Sequence, residues 1–227
     1  MKKTIIAVLC ITGCYLQVAQ AGEIDVNETG ASLLHLAQVQ KNSSKSNLNI
    51  QEDSSNPSAE VRKIGTSAAA KGAKGIERIL NKAIDEKAIT TEDLFDENYV
   101  LIPNTYPLKF RTRFDALLDK KIQEFEDSTI TDYRIQFAIA VDRNGYLPTH
   151  NSKFSKPLTG DPEKDIANNK AKRFYNDPIG IAAARNKGEI LVQPYLRDNG
   201  DKMCDFAAPI FIKGRHWGAF RVGTKTN

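Results

Sequence analysis

The chain has few of the side chains that build metal or redox centres. It holds three cysteines and three histidines among 227 residues, and no two histidines have the spacing of a helical metal site. Cys10 and Cys14 lie in an apolar N-terminal stretch, which leaves Cys204 as the one thiol of the remaining chain. No Cys-x-x-Cys motif is present. We therefore expect no metal, no cofactor and a structural role for Cys204.

The sequence also lacks a strong charge of one sign and the motifs of common enzymes. Lysine and arginine number 32 against 28 acidic residues, and no basic run carries interleaved aromatic residues, which argues against nucleic-acid binding. Ser152 and Ser155 follow His150, but no Gly-x-Ser-x-Gly elbow surrounds them. No phosphate-binding glycine loop occurs either. We expect a protein that is not an enzyme.

The longest mostly apolar run is at the N-terminus, where residues 4–18 are interrupted by Thr, Gly and Gln. Two lysines precede this run, and the Ala-Gln-Ala sequence of residues 19–21 follows it. This order predicts a signal peptide over residues 1–21 and a periplasmic or secreted protein. The sequence Ile-Thr-Gly-Cys that ends at Cys14 also fits a lipoprotein processing box. Cleavage after Ala21 and lipidation at Cys14 both stay open.

Composition and periodicity divide the rest of the chain. Residues 22–65 are polar, small and poor in aromatic side chains, which predicts a disordered linker. Apolar residues at three- and four-residue spacing then predict a helix over residues 66–87. A second helix is predicted from Leu108 to Glu126, because its apolar residues form one stripe. The sequence does not decide whether two copies of the chain pair through that stripe as a homodimer. Residues 88–227 form the predicted domain.

Later apolar runs have the length of strands. They cover residues 135–141, 189–195, 206–212 and 217–222, and turn sequences rich in Asp, Asn and Gly lie beside them. The last three runs follow one another through short turns, which predicts an antiparallel meander. A long stretch of loop and helix separates them from the first run. We therefore predict an α+β fold with an antiparallel sheet, a long N-terminal helix and a helical insert.

Polar and aromatic side chains concentrate in short runs around these strands. A packed core has little use for so many of them, whereas a ligand pocket uses most. Arginine pairs with carboxylates and an aspartate can hold an ammonium group, so a small anionic or amino-acid-like ligand is expected. The opposing interpretation is that these residues cap turns and close the core. The predicted ligand-binding residues are Tyr146, His150, Asn151, Lys172, Arg173, Asp177, Tyr195, Arg197, Asp198, Arg215, His216 and Trp217.

Five of these polar runs occur in one order in a known family of sensory domains. They are Asp142–Asn151 (D-x-x-G-Y-x-P-T-H-N), Thr159–Asp161, Lys172–Asp177, Gln193–Asp198 and Pro209–Gly218. Over residues 88–223 the chain resembles the Cache/PAS-like sensory domain at the C-terminus of bacterial methyl-accepting chemotaxis proteins. The resemblance implies a PAS/Cache-like antiparallel sheet, with a ligand held between the sheet and the insert.

Two functions are compatible with this resemblance. The chain has no long heptad-bearing helices that could form a signalling hairpin. We expect the module to bind a small molecule and to present it to a membrane receptor or transporter. The alternative is a protein–protein interaction module of the cell envelope that binds no ligand. An open pocket with a polar lining favours the first hypothesis, and a pocket filled by its own side chains favours the second.

Overall fold

The computed structural model describes residues 56–197 and 200–226, in which helices alternate with antiparallel strands. The predicted α+β class is confirmed. The helices are α1 (Ala59–Asp85), α2 (Thr91–Leu94), α3 (Asp115–Lys121), α4 (Gln123–Thr129), α5 (Pro162–Asn168) and α6 (Pro178–Arg185), with a 3₁₀ turn at Ser152–Phe154. The strands are β1 (Val100–Ile102), β2 (Lys109–Arg111), β3 (Ile135–Asp142), β4 (Tyr146–Leu147), β5 (Arg173–Phe174), β6 (Leu191–Leu196), β7 (Lys202–Ile212) and β8 (Arg215–Lys225).

Helix α1 begins earlier than the sequence pattern indicates. The Ser58 hydroxyl accepts a hydrogen bond from the backbone N–H of Val61 at 3.3 Å, and this N-cap starts the helix at Ala59 rather than at residue 66. The predicted linker therefore ends before Ala59. Its part up to residue 55 lies outside the described residues, as do the predicted signal peptide and Cys14. Within the described part of the chain, no helix is long and apolar enough to cross a bilayer.

The main sheet has four antiparallel strands in the order β3-β8-β7-β6. Strands β6, β7 and β8 follow one another in sequence and pair as neighbours, so the predicted meander is confirmed. The turn between β7 and β8 contains Gly214 at a φ of +77°, a conformation that glycine adopts without steric cost. The first predicted strand, β3, pairs with the last strand, β8, so β3 and β6 form the edges.

The two faces of this sheet bury different clusters, because side chains alternate along a strand. On one face, α1 packs against Ala138, Phe206 and Phe220 in the larger core. On the opposite face, Phe137 and Ile139 pack with α6 in a smaller cluster. The insert between β3 and β6 therefore covers the second face.

The prediction of one helix over residues 108–126 is wrong in its N-terminal part. Phe110 lies in β2, which pairs with β1 in a two-stranded hairpin, so the helix begins only at Asp115. Ile122 has a φ of −113° and separates α3 from α4. Phe114 and Ile122 of the predicted apolar stripe are fully buried and pack inside the larger core of the chain itself.

Candidate functional site

An open cavity of about 370 Å³ lies between the main sheet and the insert. Strands β3, β6 and β8 contribute to one side of it, and the segment from α5 to the start of α6 contributes to the other. A cavity of this size suits a small molecule. The residues that line it are Phe137, Ile139, His150, Ile166, Lys170, Arg173, Tyr175, Asp177, Ile179, Tyr195, Arg197 and Arg221.

The structure brings together five of the residues that the sequence predicts as ligand-binding. His150, Arg173, Asp177, Tyr195 and Arg197 all line the cavity. They come from four separate parts of the fold, namely the start of the insert, β5, the N-terminus of α6 and the end of β6. This convergence of polar side chains on one concave surface makes the cavity the candidate ligand site.

A buried ion pair lies beneath the cavity. Arg221 of β8 is opposite Ile139 in the strand register, and its guanidinium reaches the carboxylate of Asp205 on β7 at 3.0–3.3 Å. The Asp205 side chain is fully buried and that of Arg221 is 7% exposed. Burial raises the pKa of the Asp205 carboxyl, and the charge of Arg221 opposes this change. The pair thus places a cation in the cavity lining while its own charges balance.

Three further cations, Lys170, Arg173 and Arg197, line the cavity. Burial lowers the pKa of Lys170, and the nearby charges of Arg197 and Arg173 lower it further. Among residues 56–197 and 200–226, no ion pair within 4.0 Å joins any of the three to a carboxylate. The Lys170 ammonium instead lies 4.2 Å from the ring centroid of Phe154. Mutual repulsion among these cations is relieved by a bound anion.

His150 is a neutral member of the cavity lining. The residue is 3% exposed, and its Nδ1 is buried without a hydrogen-bond partner in the described structure. Burial lowers the pKa of His150 to about 3, with help from the charges of Lys170 and Lys153. Its ring packs edge-on against Phe154 at 4.9 Å. At neutral pH, therefore, His150 adds a polar group to the cavity but no charge.

The surroundings of Asp177 and Tyr195 determine which hydrogen bonds these two side chains can make with a ligand. The Asp177 Oδ1 caps α6 and accepts hydrogen bonds from the backbone N–H groups of Ile179 and Gly180 at 3.0 and 3.1 Å. Burial raises the pKa of Tyr195, so its hydroxyl stays protonated at neutral pH. Asp198, which the sequence also predicts at this site, lies outside the described residues.

Asn151 lies outside the cavity and completes the backbone hydrogen bonding on the edge of β3 that no other strand pairs with. Its Nδ2 donates to the backbone oxygen of Ala138 and its Oδ1 accepts from the backbone N–H of the same residue, both at 3.0 Å. The Glu126 carboxyl accepts from the N–H of Ala140 at 2.8 Å in the same way. These two side chains stand where a neighbouring strand would otherwise pair with β3.

Tyr146 and Lys172 also bond away from the cavity. The Tyr146 side chain is fully buried, and its hydroxyl donates to the Asp115 carboxylate at 2.9 Å. The Lys172 ammonium bonds to the Asp119 carboxylate at 2.8 Å and lies 3.5 Å from that of Asp115. Both residues attach the insert to α3.

The Arg215-His216-Trp217 run lies at the start of β8, and none of the three lines the cavity. Trp217 is 2% exposed, and its Nε1 donates to the backbone oxygen of Leu94 at 2.9 Å. The Arg215 guanidinium stacks on the Phe95 ring at 4.1 Å. These contacts join β8 to the segment around α2, so this run closes the core at one end of the sheet.

Sequence reasoning missed Lys170 and Arg221, two of the four cations in the lining. Arg221 had a detectable signal, because a charged residue between Ala219 and Val222 in a buried strand requires a partner. Asp205 in the neighbouring strand is the matching signal. No such signal distinguishes Lys170 in the sequence, because it lies in a polar, lysine-rich stretch of the insert.

Comparison with known proteins gives only a distant likeness. No protein-family model matches this chain, and no curated protein matches it. A solved structure similar to it is the extracellular ligand binding receptor from Desulfohalobium retbaense DSM5692, with 15% sequence identity and a TM-score of 0.33. The match covers 69% of this chain and 24% of that protein, so the chain spans about a quarter of the receptor's length. A likeness this distant carries no argument about function.

Proposed function

We propose that this protein is a binding module, not an enzyme, and that its cavity holds a small anion. The observation that carries the proposal is the excess of positive charge at the cavity. Lys170, Arg173, Arg197 and Arg221 line it, while the acidic groups in or behind the described lining are Asp177 and the paired Asp205. Four cations against two carboxylates leave an excess of two positive charges, because His150 is neutral.

The charge excess favours a dianion over an amino-acid-like zwitterion. A bound ammonium group needs an available carboxylate, but Asp205 is enclosed by Arg221, and Asp177 has only its Oδ2 left because its Oδ1 caps α6. Arginine side chains are suited to carboxylate and phosphate groups, which they bind through two parallel hydrogen bonds. Apolar residues on the same walls, such as Ile139 and Ile179, suit a short carbon chain between two charged ends.

The cellular setting belongs to the same proposal. The N-terminal sequence supports export, and the order of the polar runs supports a relation to Cache/PAS-like sensory domains of chemotaxis receptors. We place the module in the periplasm or outside the cell, where it presents its ligand to a membrane receptor or transporter. The α+β architecture agrees with such a module but is shared by many other proteins.

The test is a thermal-shift and calorimetric titration of the protein with matched small molecules. Succinate and 4-aminobutyrate have the same chain length, but the first is a dianion and the second a zwitterion. We expect saturable stabilisation by succinate or another dicarboxylate or phosphate ester, and a much weaker effect of 4-aminobutyrate. Arg197→Gln is expected to weaken binding at least tenfold, while the exposed Arg185→Gln changes nothing. Equal stabilisation by both probes contradicts the preference for a dianion.

The second candidate is the protein–protein interaction module, and one observation favours it. The β1–β2 hairpin exposes a group of apolar side chains, since Val100, Leu101, Tyr106 and Leu108 are 48–63% exposed. Apolar patches of this kind often mark contact sites. If no anion stabilises the protein and Arg197→Gln lowers only its stability, the cavity is structural and the hairpin becomes the surface to test.

A further inference from the structure

A groove of about 790 Å³ runs between α1 and α4. It lies on the side of the sheet that α1 covers, away from the cavity in the insert. Its floor includes the apolar side chains of Ile64, Ala68 and Phe125. The first two belong to α1 and the third to α4, so the groove is a recess between two helices and not a flat surface.

One wall of the groove is a basic stripe along α1. Lys63, Lys71, Lys74 and Arg78 line the groove and all four are exposed. Their spacing of eight, three and four residues keeps them on one side of the helix, over a length of about 22 Å. Only Lys74 among them has an acidic partner within 4.0 Å in the described structure, and that partner is Glu77 of the same helix.

The acidic groups that line the groove are both held by one arginine at its end. Glu60 and Asp132 line one end of it, and both carboxylates bond to Arg134, at 3.1 and 2.8 Å respectively. The pKa of each carboxyl is lowered by Arg134, so both stay ionised and paired. The groove therefore combines an apolar floor with a basic wall in which Lys63, Lys71 and Arg78 have no acidic partner within 4.0 Å in the described structure.

We propose that this groove binds an acidic amphipathic helix of a partner protein. The apolar face of such a helix would cover Ile64, Ala68 and Phe125, and carboxylates one or two turns apart would pair with Lys63, Lys71 and Arg78. The same stripe on a second copy of this chain would meet it with like charge, which argues against a symmetric pairing of two α1 helices. An anionic bilayer would meet the lysines but would leave the recessed floor empty, which argues against a membrane surface. The proposal is independent of the ligand in the cavity.

The experiment uses the full chain and two designed, fluorescein-labelled helical peptides. Both carry the same leucine and alanine face, and one has glutamate where the other has lysine. We expect the glutamate peptide to bind with a dissociation constant in the micromolar range, read as fluorescence anisotropy, and the lysine peptide to bind at least tenfold more weakly. The double variant Lys71→Glu/Arg78→Glu should abolish binding, while the control Lys82→Glu, on the same helix but outside the groove, should leave it unchanged.

Other outcomes overturn the proposal. Equal binding of the two peptides, or equal binding by the double variant and the control, excludes a charge-selective groove. Binding to phosphatidylglycerol vesicles that depends on Lys71 and Arg78, without peptide binding, assigns the stripe to a membrane. A dimer in sedimentation velocity that the double variant dissociates, again without peptide binding, assigns the groove to a second copy. Circular dichroism of each variant shows whether it folds, and Ser67→Arg, which fills the groove without removing a cation, provides an independent second block.

Discussion

At the scale of single residues, buried polar side chains complete the backbone hydrogen bonding of β3. Asn151 pairs with both backbone groups of Ala138, so Asn151→Ala leaves a buried N–H and a buried C=O without partners. We expect the free energy of unfolding to fall by about 3 kcal/mol. Urea denaturation followed by circular dichroism measures this change. Substitution of the exposed Asn98 by alanine is the control. If Asn151→Ala lowers the free energy of unfolding no more than this control, water molecules bond to the N–H and C=O of Ala138 in place of the asparagine.

The ion pair beneath the cavity gives a second prediction at the same scale. Asp205→Ala leaves the Arg221 guanidinium buried without its partner, and we expect a loss of about 3–5 kcal/mol in unfolding free energy. Replacing both residues by apolar ones, in Asp205→Leu/Arg221→Met, should restore most of the loss, because no charge is left unpaired. If the double variant is as unstable as Asp205→Ala, the loss of unfolding free energy comes from disrupted packing and not from an unpaired charge.

His150 makes stability depend on pH in a defined direction. Its pKa is lowered to about 3 in the folded protein, against an ordinary value of about 6.5 in the unfolded chain. Between these values the unfolded chain binds a proton that the folded protein does not, so stability falls as pH falls. At pH 5 the loss from this group is about 2 kcal/mol. We expect His150→Gln to lose less stability than the native protein between pH 7 and pH 5 in urea denaturation. A difference between the two proteins that stays constant with pH would contradict this.

The site was predictable only in part, and single residues show why. Arg197 was predicted at the end of a strand, and Arg173 and Asp177 within the insert, because clustered polar side chains in such segments are typical of a pocket. Asn151 and Trp217 belong to the same kind of runs, yet their partners are backbone groups 13 and 123 residues away. Composition cannot distinguish a side chain that bonds to a ligand from one that bonds to a distant backbone group.

At the scale of elements, the close approach of α1 to the sheet depends on its small residues. A Cβ atom at Gly72 would overlap the ring of Phe220. Gly72→Ala improves helix propensity by about 1 kcal/mol, but overpacking against a rigid ring costs more, so we expect a net loss of about 1–2 kcal/mol. Ser67→Ala on the exposed side of the same helix should instead be neutral or slightly stabilising. A gain in melting temperature for Gly72→Ala would show that α1 can move away from the sheet.

The helices and strands themselves were largely predictable, because the spacing of apolar residues along the chain reflects the local geometry of a helix or a strand. The strands of the meander and β3 followed from short apolar runs bounded by turn residues. Helix α1 was predicted over most of its length, although its first seven residues, about two turns, were missed because the start of the helix depends on the cap at Ser58. The error at Phe110 has a tertiary cause. This residue fits the period of the following helix, but it pairs with β1 in a hairpin, and pairing overrides local pattern.

At the scale of the whole molecule, the sheet connects the cavity to the rest of the domain. Helix α1 and the insert pack on opposite faces of the same four strands, so we expect one cooperative unfolding transition. Trp217 is the one tryptophan of the chain; it is buried, bonds to the backbone of Leu94 and does not line the cavity. Its fluorescence therefore reports global unfolding rather than ligand contact.

A ligand that binds in the cavity should shift that transition as a whole. A dianion at about 100 times its dissociation constant adds about 2.7 kcal/mol to the free energy of unfolding. We expect Trp217 fluorescence and far-ultraviolet circular dichroism, to which the long helix α1 contributes, to move to higher temperature by the same amount. Arg197→Gln should remove the shift from both signals. If the ligand moved one of the two curves and not the other, the helices and the region around Trp217 would unfold separately, and the domain would not form one cooperative unit.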